Sequence, residues 1–129
     1  MANFALCTCH VKEGRLWVFG IKYHVHIING FENHSKSLNV HCWSSQDDLG
    51  QHSLQVDEDF TWHFKVEFDG STLFSCDVNQ GALTKRFDAF SAAVEGTRCA
   101  LNGECYWLVA DAGIYFSTDD FTWEKKYEW

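Results

Sequence analysis

Six cysteines and seven histidines are the residues of this 129-residue chain with the greatest chemical potential. An even number of cysteines in a short chain favours disulfide bonds formed in an oxidising compartment, although the count alone fixes no connectivity. Structural zinc is the alternative, but the Cys-x-x-Cys pair that such sites commonly use is absent. We therefore expect disulfides among the six cysteines, which are Cys7, Cys9, Cys42, Cys76, Cys99 and Cys105.

The histidines suggest either a metal site or acid–base catalysis. His24 and His26 are two residues apart, as zinc ligands can be, but their strand face is the one expected in solvent and no third ligand is fixed by spacing. Cys7, Cys9 and His10 form a second cluster of the same kind. We expect both sets to be ordinary side chains, without a metal or another cofactor.

Catalysis is not expected either. Two histidines could act as acid and base in a ribonuclease, but the chain has no proline, hence no Trp-Pro motif of those enzymes, and its net charge of −8 opposes RNA. No Gly-x-Ser-x-Gly motif of a serine hydrolase is present. We assign no catalytic residue.

The elements that position these residues are strands. Apolar residues alternate with polar ones from Phe60 to Phe68, and shorter stretches with the same period recur along the chain. Residues 60–68 and 71–78 are predicted to form a hairpin about Asp69-Gly70, and a second turn is expected at 111–113. Helical signals are confined to 88–95. The pattern predicts an all-β fold, a small disulfide-linked antiparallel β-sandwich of seven to eight short strands with at most one short helix.

Three of the cysteines, Cys42, Cys76 and Cys105, fall on the apolar phase of their predicted strands, and Cys99 precedes the third strand. Such placement suits two cross-strand bridges, for which we predict Cys42–Cys105 and Cys76–Cys99. Cys7 and Cys9 remain unassigned.

Acidic residues cluster between the predicted strands and are either solvated loop residues or contacts for a protein partner with a basic patch. Two aromatic residues on exposed strand phases are further contact candidates. The candidates are Asp47, Asp48, Asp57, Glu58, Asp59, Asp119, Asp120, Trp43 and Tyr106. The acidic charge argues against nucleic acid, and no apolar run is long enough for a membrane helix. Asn33 begins an N-glycosylation sequon, Asn33-His34-Ser35.

Six ordered motifs closely resemble the plant self-incompatibility S-protein homologue family. They are VHIING at 25–30, LNVHCWS at 38–44, DDLG at 47–50, FTWHF at 60–64, TLFSCDV at 72–78, and CYWLV followed by DAGIY across 105–115. The resemblance implies a small secreted plant protein with a β-sandwich, whose conserved disulfides use Cys42, Cys76, Cys99 and Cys105. It also implies that Cys7 and Cys9 lie outside the usual set.

The resemblance further implies a non-catalytic extracellular ligand that signals by binding a plant cell-surface receptor or another extracellular protein. A secreted defence or toxin-like protein that acts on microbes or membranes is the alternative. We expect an N-terminal extension over 1–22, with a possible edge strand, and the sandwich over 23–129, as a monomer without membrane insertion. The first nine residues lack the features of a secretory signal, which we expect outside this sequence.

Overall fold

The computed structural model describes residues 20–129. They form nine strands and one short helix, α1, which spans Glu95–Arg98 between the sixth and seventh strands. The strands are β1 (Lys22–Asn29), β2 (Leu38–Trp43), β3 (Asp48–Leu54), β4 (Asp59–Lys65), β5 (Leu73–Gln80), β6 (Leu83–Ser91), β7 (Glu104–Ala110), β8 (Gly113–Ser117) and β9 (Glu124–Tyr127).

The strands form two sheets, one of five strands in the order β4-β1-β7-β8-β9 and one of four in the order β3-β2-β5-β6. The predicted all-β sandwich is confirmed, with more strands than the seven to eight expected. One pairing departs from the antiparallel prediction, because β1 and β7 run parallel, His24 lying opposite Glu104. A parallel pair needs a long crossover, which alternation within each strand does not reveal.

Alternating side chains from both sheets build the core between them. On β7, Cys105, Trp107 and Val109 are fully buried and alternate with half-buried neighbours. The Trp107 indole packs on Phe87 and Phe116 at centroid distances of 4.9 and 4.8 Å, and its Nε1 donates to the Ala89 carbonyl at 2.9 Å. The two-residue alternation therefore buries one face of each strand, as predicted.

The predicted hairpin of residues 60–68 and 71–78 is wrong. Strand β4 pairs with β1, whereas β5 lies in the other sheet between β2 and β6. The buried alternation ends at Val66, since Phe68 is 79% exposed. A turn is present, with the Ser71 amide donating to Asp69 Oδ1 at 3.0 Å, but it carries the chain from one sheet to the other. The second predicted turn does join a hairpin, β7 to β8, through residues 111–112.

The helix predicted over 88–95 is also misplaced. Asp88 to Ser91 continue β6, which pairs with β5 as far as Ser91, and the helix begins at Glu95. Gly96, which follows the predicted stretch, lies inside the observed helix. Pairing with β5 overrides the weak local preference of the alanine-rich segment.

The predicted disulfide pairing is wrong as well, because the bridges are Cys42–Cys76 and Cys99–Cys105. Cys42 and Cys76 lie directly opposite each other on the neighbouring strands β2 and β5, whereas Cys105 belongs to the facing sheet. The sequence correctly predicted that these cysteines face the core. Alternation cannot, however, distinguish a partner on the neighbouring strand of the same sheet from a partner on the facing sheet. Cys7, Cys9 and most of the predicted extension lie outside the described residues.

Candidate functional site

Strand pairing brings four connections to one end of the sandwich. The first residues of β1 and β7 lie side by side, opposite the last residues of β4 and β8. In the second sheet, the starts of β3 and β5 adjoin the ends of β2 and β6. The residues at this end are 44–47, 66–73, 92–103 and 118–123, and we call it the apolar end. The opposite end holds 30–37, 55–58, 81–82 and 111–112.

All the large apolar side chains that are exposed in the described part of the chain lie at the apolar end. Leu101 is 99% exposed, Phe121 84% and Phe68 79%, and Leu73 and Val94 are exposed to a lesser degree. The opposite end exposes no large apolar side chain among residues 20–129. Exposed apolar residues scattered singly are ordinary, but their concentration at one end makes that end the candidate interaction surface.

Leu101 is held at the tip of an anchored segment. The Cys99–Cys105 disulfide closes the turn that contains it, and the Gly103 amide donates to the Cys99 carbonyl at 2.7 Å. Gly103 has a φ of +76°, and a Cβ there would lie 2.8 Å from the Lys22 carbonyl oxygen, so a larger residue would strain the turn. The Tyr23 hydroxyl fixes the helix before it by donating to the Gly96 carbonyl at 2.6 Å.

Phe121 is held by a second ordered segment. Asp119 Oδ1 accepts the amides of Phe121 and Thr122 at 2.9 and 2.7 Å and the Ser117 hydroxyl at 2.7 Å. The two segments are tied together, because Asn102 Nδ2 donates to the Thr118 carbonyl at 3.1 Å. Both exposed side chains are thus presented by backbone that is already ordered, which lowers the entropy cost of binding.

A pH titration should reveal this ordering. The Thr122 amide, the Ser117 hydroxyl and the Phe121 amide all stabilise the Asp119 carboxylate and hold its pKa well below the usual range. The bonds should therefore persist at neutral pH and weaken only as the pH falls through that lowered value. We expect the Phe121 and Thr122 amide proton resonances to move together at a pH below the normal aspartate range.

Asp119→Asn should abolish that shared titration, because the amide of asparagine does not ionise. A shared midpoint in the ordinary aspartate range, or one retained by the variant, would contradict the role given to Asp119.

The apolar end also contains a cleft of about 470 Å³ between the 44–47 turn and the segment that joins the two sheets. Its lining mixes apolar and polar side chains. The lining residues are Ser44, Ser45, Gln46, Asp47, Phe64, Lys65, Glu67, Ser71, Thr72, Leu73 and Phe74.

The predicted acidic contact residues are divided between the two ends. Asp47, Asp119 and Asp120 lie at the apolar end, with Asp48 beside them at the start of β3, whereas Asp57, Glu58 and Asp59 lie at or beside the opposite end. The structure thus does not bring the seven acidic residues together into one surface.

Several of these carboxylates have roles within the fold. Asp48 accepts the Gly50 amide at 2.9 Å and lies 2.8 Å from the His41 ring, and these two contacts lower its pKa, the amide contributing most. Glu58 accepts the Gln55 amide at 2.8 Å. Their clustering in loops therefore reflects turn geometry as well as solubility.

The aromatic candidates lie half-buried on the outer faces of the two sheets. Arg86 lies over the Trp43 ring at 5.0 Å. Tyr106 stacks on the His26 ring with centroids 4.4 Å apart, and its pKa is raised by partial burial and then by nearby carboxylates, Glu104 foremost. Neither residue belongs to the exposed apolar set, and their role in partner contact stays a prediction.

His24 and His26 lie on the solvent side of β1, as predicted, against carboxylates. His26 Nε2 is 2.7 Å from Glu104 Oε1, and its Nδ1 is 3.2 Å from Asp59 Oδ2. His24 Nδ1 is 3.3 Å from Glu104 Oε2, an ion-pair distance without hydrogen-bond geometry. Within residues 20–129 no three histidine, cysteine or acidic side chains are arranged to hold a metal ion.

The sequence interpretation missed this set of exposed apolar residues, because it placed Phe68 on a predicted strand and passed over Leu101. One usable signal exists: Leu101 lies between a cysteine and Asn102-Gly103, a turn context in which a large apolar residue is unusual. No helix among the described residues is long and apolar enough to cross a membrane.

Comparison with known proteins agrees with the fold. A family model described as plant self-incompatibility protein S1 matches residues 24–129. S-protein homolog 21 of Arabidopsis thaliana is 33% identical over 128 residues, which cover 98% of this chain and 93% of that protein. S-protein homolog 6 of the same plant is 34% identical over 112 residues, which cover 86% of this chain and 80% of that protein.

A solved structure superposes with a TM-score of 0.64 at 21% identity, covering 84% of this chain and 94% of the other. It is described as representing SPH (self-incompatibility protein homologue) proteins, a widespread family of small, highly stable, secreted proteins from plants. At that identity the likeness supports the fold. The family match over residues 24–129 and the relatives from Arabidopsis thaliana show that this chain belongs to the plant self-incompatibility S1 family, the S-protein homologues.

Proposed function

We propose that this protein is a secreted, non-catalytic ligand that binds another extracellular protein, such as a cell-surface receptor, through its apolar end. The observation that carries the proposal is that all the exposed large apolar side chains of residues 20–129 lie at that end. Secretion is supported by the two disulfides and by the description of the solved relative as secreted.

The character of the apolar end favours a protein partner. Protein interfaces combine a core of apolar anchors with a polar rim, and the exposed side chains here are interspersed with Asp47, Glu67, Asp69 and Asp120. The net charge of −8 favours a partner with a basic surface and works against anionic lipid or nucleic acid. We propose that the protein acts as a monomer, with the apolar end left available to the partner.

The opposite end is suited to a glycan. Asn33 is exposed there, and its Oδ1 accepts the Ser35 amide and hydroxyl at 2.9 and 2.8 Å, so the sequon forms a turn at the surface. We propose Asn33 as a glycosylation site. A sugar at that position would lie away from the apolar end and leave binding intact.

Cell-surface binding tests the proposal. Fluorescently labelled protein should bind intact plant cells saturably, and unlabelled protein should compete for the same sites. The double variant Leu101→Asp, Phe121→Asp should bind at least about 30-fold more weakly, since apolar anchors commonly contribute more than about 1 kcal/mol each. Both side chains are exposed, so the variant should fold normally.

The matched control places the same charges at the opposite end. Ala82→Asp, Ala112→Asp alters two exposed turn residues and should leave binding unchanged. Protease treatment of the cells should abolish binding if the partner is a protein. Equal weakening by both double variants, or unchanged binding to lipid vesicles made from protease-treated membranes, would reject the proposal.

A further inference from the structure

The apolar end contains the cleft of about 470 Å³ described above. The residues that line the cleft indicate the chemical class of its ligand more closely than the exposed apolar side chains around it do. Its volume falls within the range of pockets that hold small molecules or single side chains. We propose that it is an anchor pocket for a basic side chain of the partner, an arginine in particular. This inference rests on the proposed function, because it assigns a chemical role to one part of the same surface.

Both walls of the cleft are preformed. In one wall, the Ser44 amide donates to the Asp47 carbonyl at 2.7 Å, which closes the 44–47 turn. In the other, the Glu67 amide donates to Thr72 Oγ1 at 2.7 Å, and the Gly70 amide donates to the Glu67 carbonyl at 2.9 Å. Because these bonds fix the backbone of both walls, a side chain can enter with little reorganisation of the protein.

The floor of the cleft is apolar and aromatic. Phe64 and Phe74 line it with their rings 4.7 Å apart, and Leu73 beside them is 44% exposed. An arginine carries a methylene stem that can cover such a surface, and its planar guanidinium stacks on aromatic rings. A purely hydrophilic ligand would make no favourable apolar contact with this floor.

The rim supplies the charge. Asp47 and Glu67 line opposite walls, and neither carboxylate has an ion pair or hydrogen bond to another residue in the described part of the chain. Lys65 also lines the cleft and opposes a cation, but the two carboxylates leave a net charge of −1. A cation with an apolar stem fits both the rim and the floor, and a guanidinium can donate hydrogen bonds to two carboxylates at once.

Titration with small fragments tests the pocket without the partner. The amide resonances of the uniformly ¹⁵N-labelled protein are followed while n-butylguanidinium chloride is added at constant ionic strength. We expect shifts confined to residues 44–47 and 64–74, with a dissociation constant in the millimolar range that is typical of so small a ligand. The neutral isostere n-butylurea should bind about tenfold more weakly.

Variants that remove the rim charges test whether Asp47 and Glu67 bind the guanidinium group. Asp47→Asn, Glu67→Gln should weaken n-butylguanidinium binding by about five- to tenfold, because the rim then carries only Lys65. The control Glu32→Gln, Asp57→Asn removes the same charge at the opposite end and should bind like the natural chain.

Equal binding of n-butylurea, shifts outside the cleft, or full binding by the rim variant would overturn the pocket assignment. The proposed function would still stand if Leu101→Asp, Phe121→Asp abolished cell-surface binding, so the two failures are distinguishable.

Discussion

Replacing both cysteines of the Cys42–Cys76 bridge with alanine is expected to lower the free energy of unfolding by about 4 kcal/mol. The bridge spans a sequence separation of 34 residues, and in the chain-entropy model a loop of that length restricts the unfolded chain by this amount. The loss is a large share of the 5–15 kcal/mol, roughly, that stabilises a typical domain. Guanidinium denaturation of the double-alanine variant provides the measurement.

The second bridge is the matched control. Cys99 and Cys105 are only 6 residues apart, so their replacement with alanine should cost about 2 kcal/mol by the same model. All four cysteines are fully buried, which makes the loss of side-chain packing comparable in the two variants. If the short bridge proved as costly as the long one, native-state packing rather than chain entropy would be the main source of the stabilisation.

Asn29→Asp is expected to destabilise the fold by about 3–5 kcal/mol at neutral pH. Asn29 is fully buried, and its Nδ2 donates to the carbonyls of Lys36 and Leu54, both at 3.0 Å. Its Oδ1 accepts the Phe31 amide at 3.0 Å. Aspartate has the same shape but offers no donor, so it would set a buried negative charge against two carbonyl oxygens.

A surface asparagine supplies the control for that variant. Asn39→Asp makes the same chemical change at an exposed side chain whose Nδ2 donates to Asn79 Oδ1 at 3.1 Å, and its effect should stay within about 0.5 kcal/mol. Lowering the pH should partly restore the stability of the Asn29→Asp variant, since burial raises the pKa of the new carboxyl group. Equal stability of the two variants in urea denaturation would refute the structural role of Asn29.

The sequence predicts which face of a strand is buried but not which strand it pairs with. The alternation correctly predicts that Trp62 and Cys76 are buried, because every second side chain of a strand points to the same face of the sheet. The same alternation suggested a hairpin of residues 60–68 and 71–78, which lie in different sheets. Pairing depends on contacts between distant segments, and a turn at Asp69-Gly70 can equally join two strands of one sheet or connect two sheets.

The candidate site was harder to predict for the same reason. Asp57 and Asp119 look alike in the sequence as acidic loop residues, yet they lie at opposite ends of the sandwich. The segments that carry Leu101 and Phe121 are brought together by the pairing of β7 with β8 and by the hydrogen bond from Asn102 Nδ2 to the Thr118 carbonyl. An interaction surface assembled from separate connections becomes visible only when the topology is known.

Photo-cross-linking tests most directly whether the apolar end is the binding surface. A benzophenone side chain is placed at position 121 or, separately, at position 112, both exposed turn positions at opposite ends. On intact plant cells, illumination should join the protein to a cell-surface protein from position 121 and give no adduct from position 112. An adduct from position 112 alone would contradict the account.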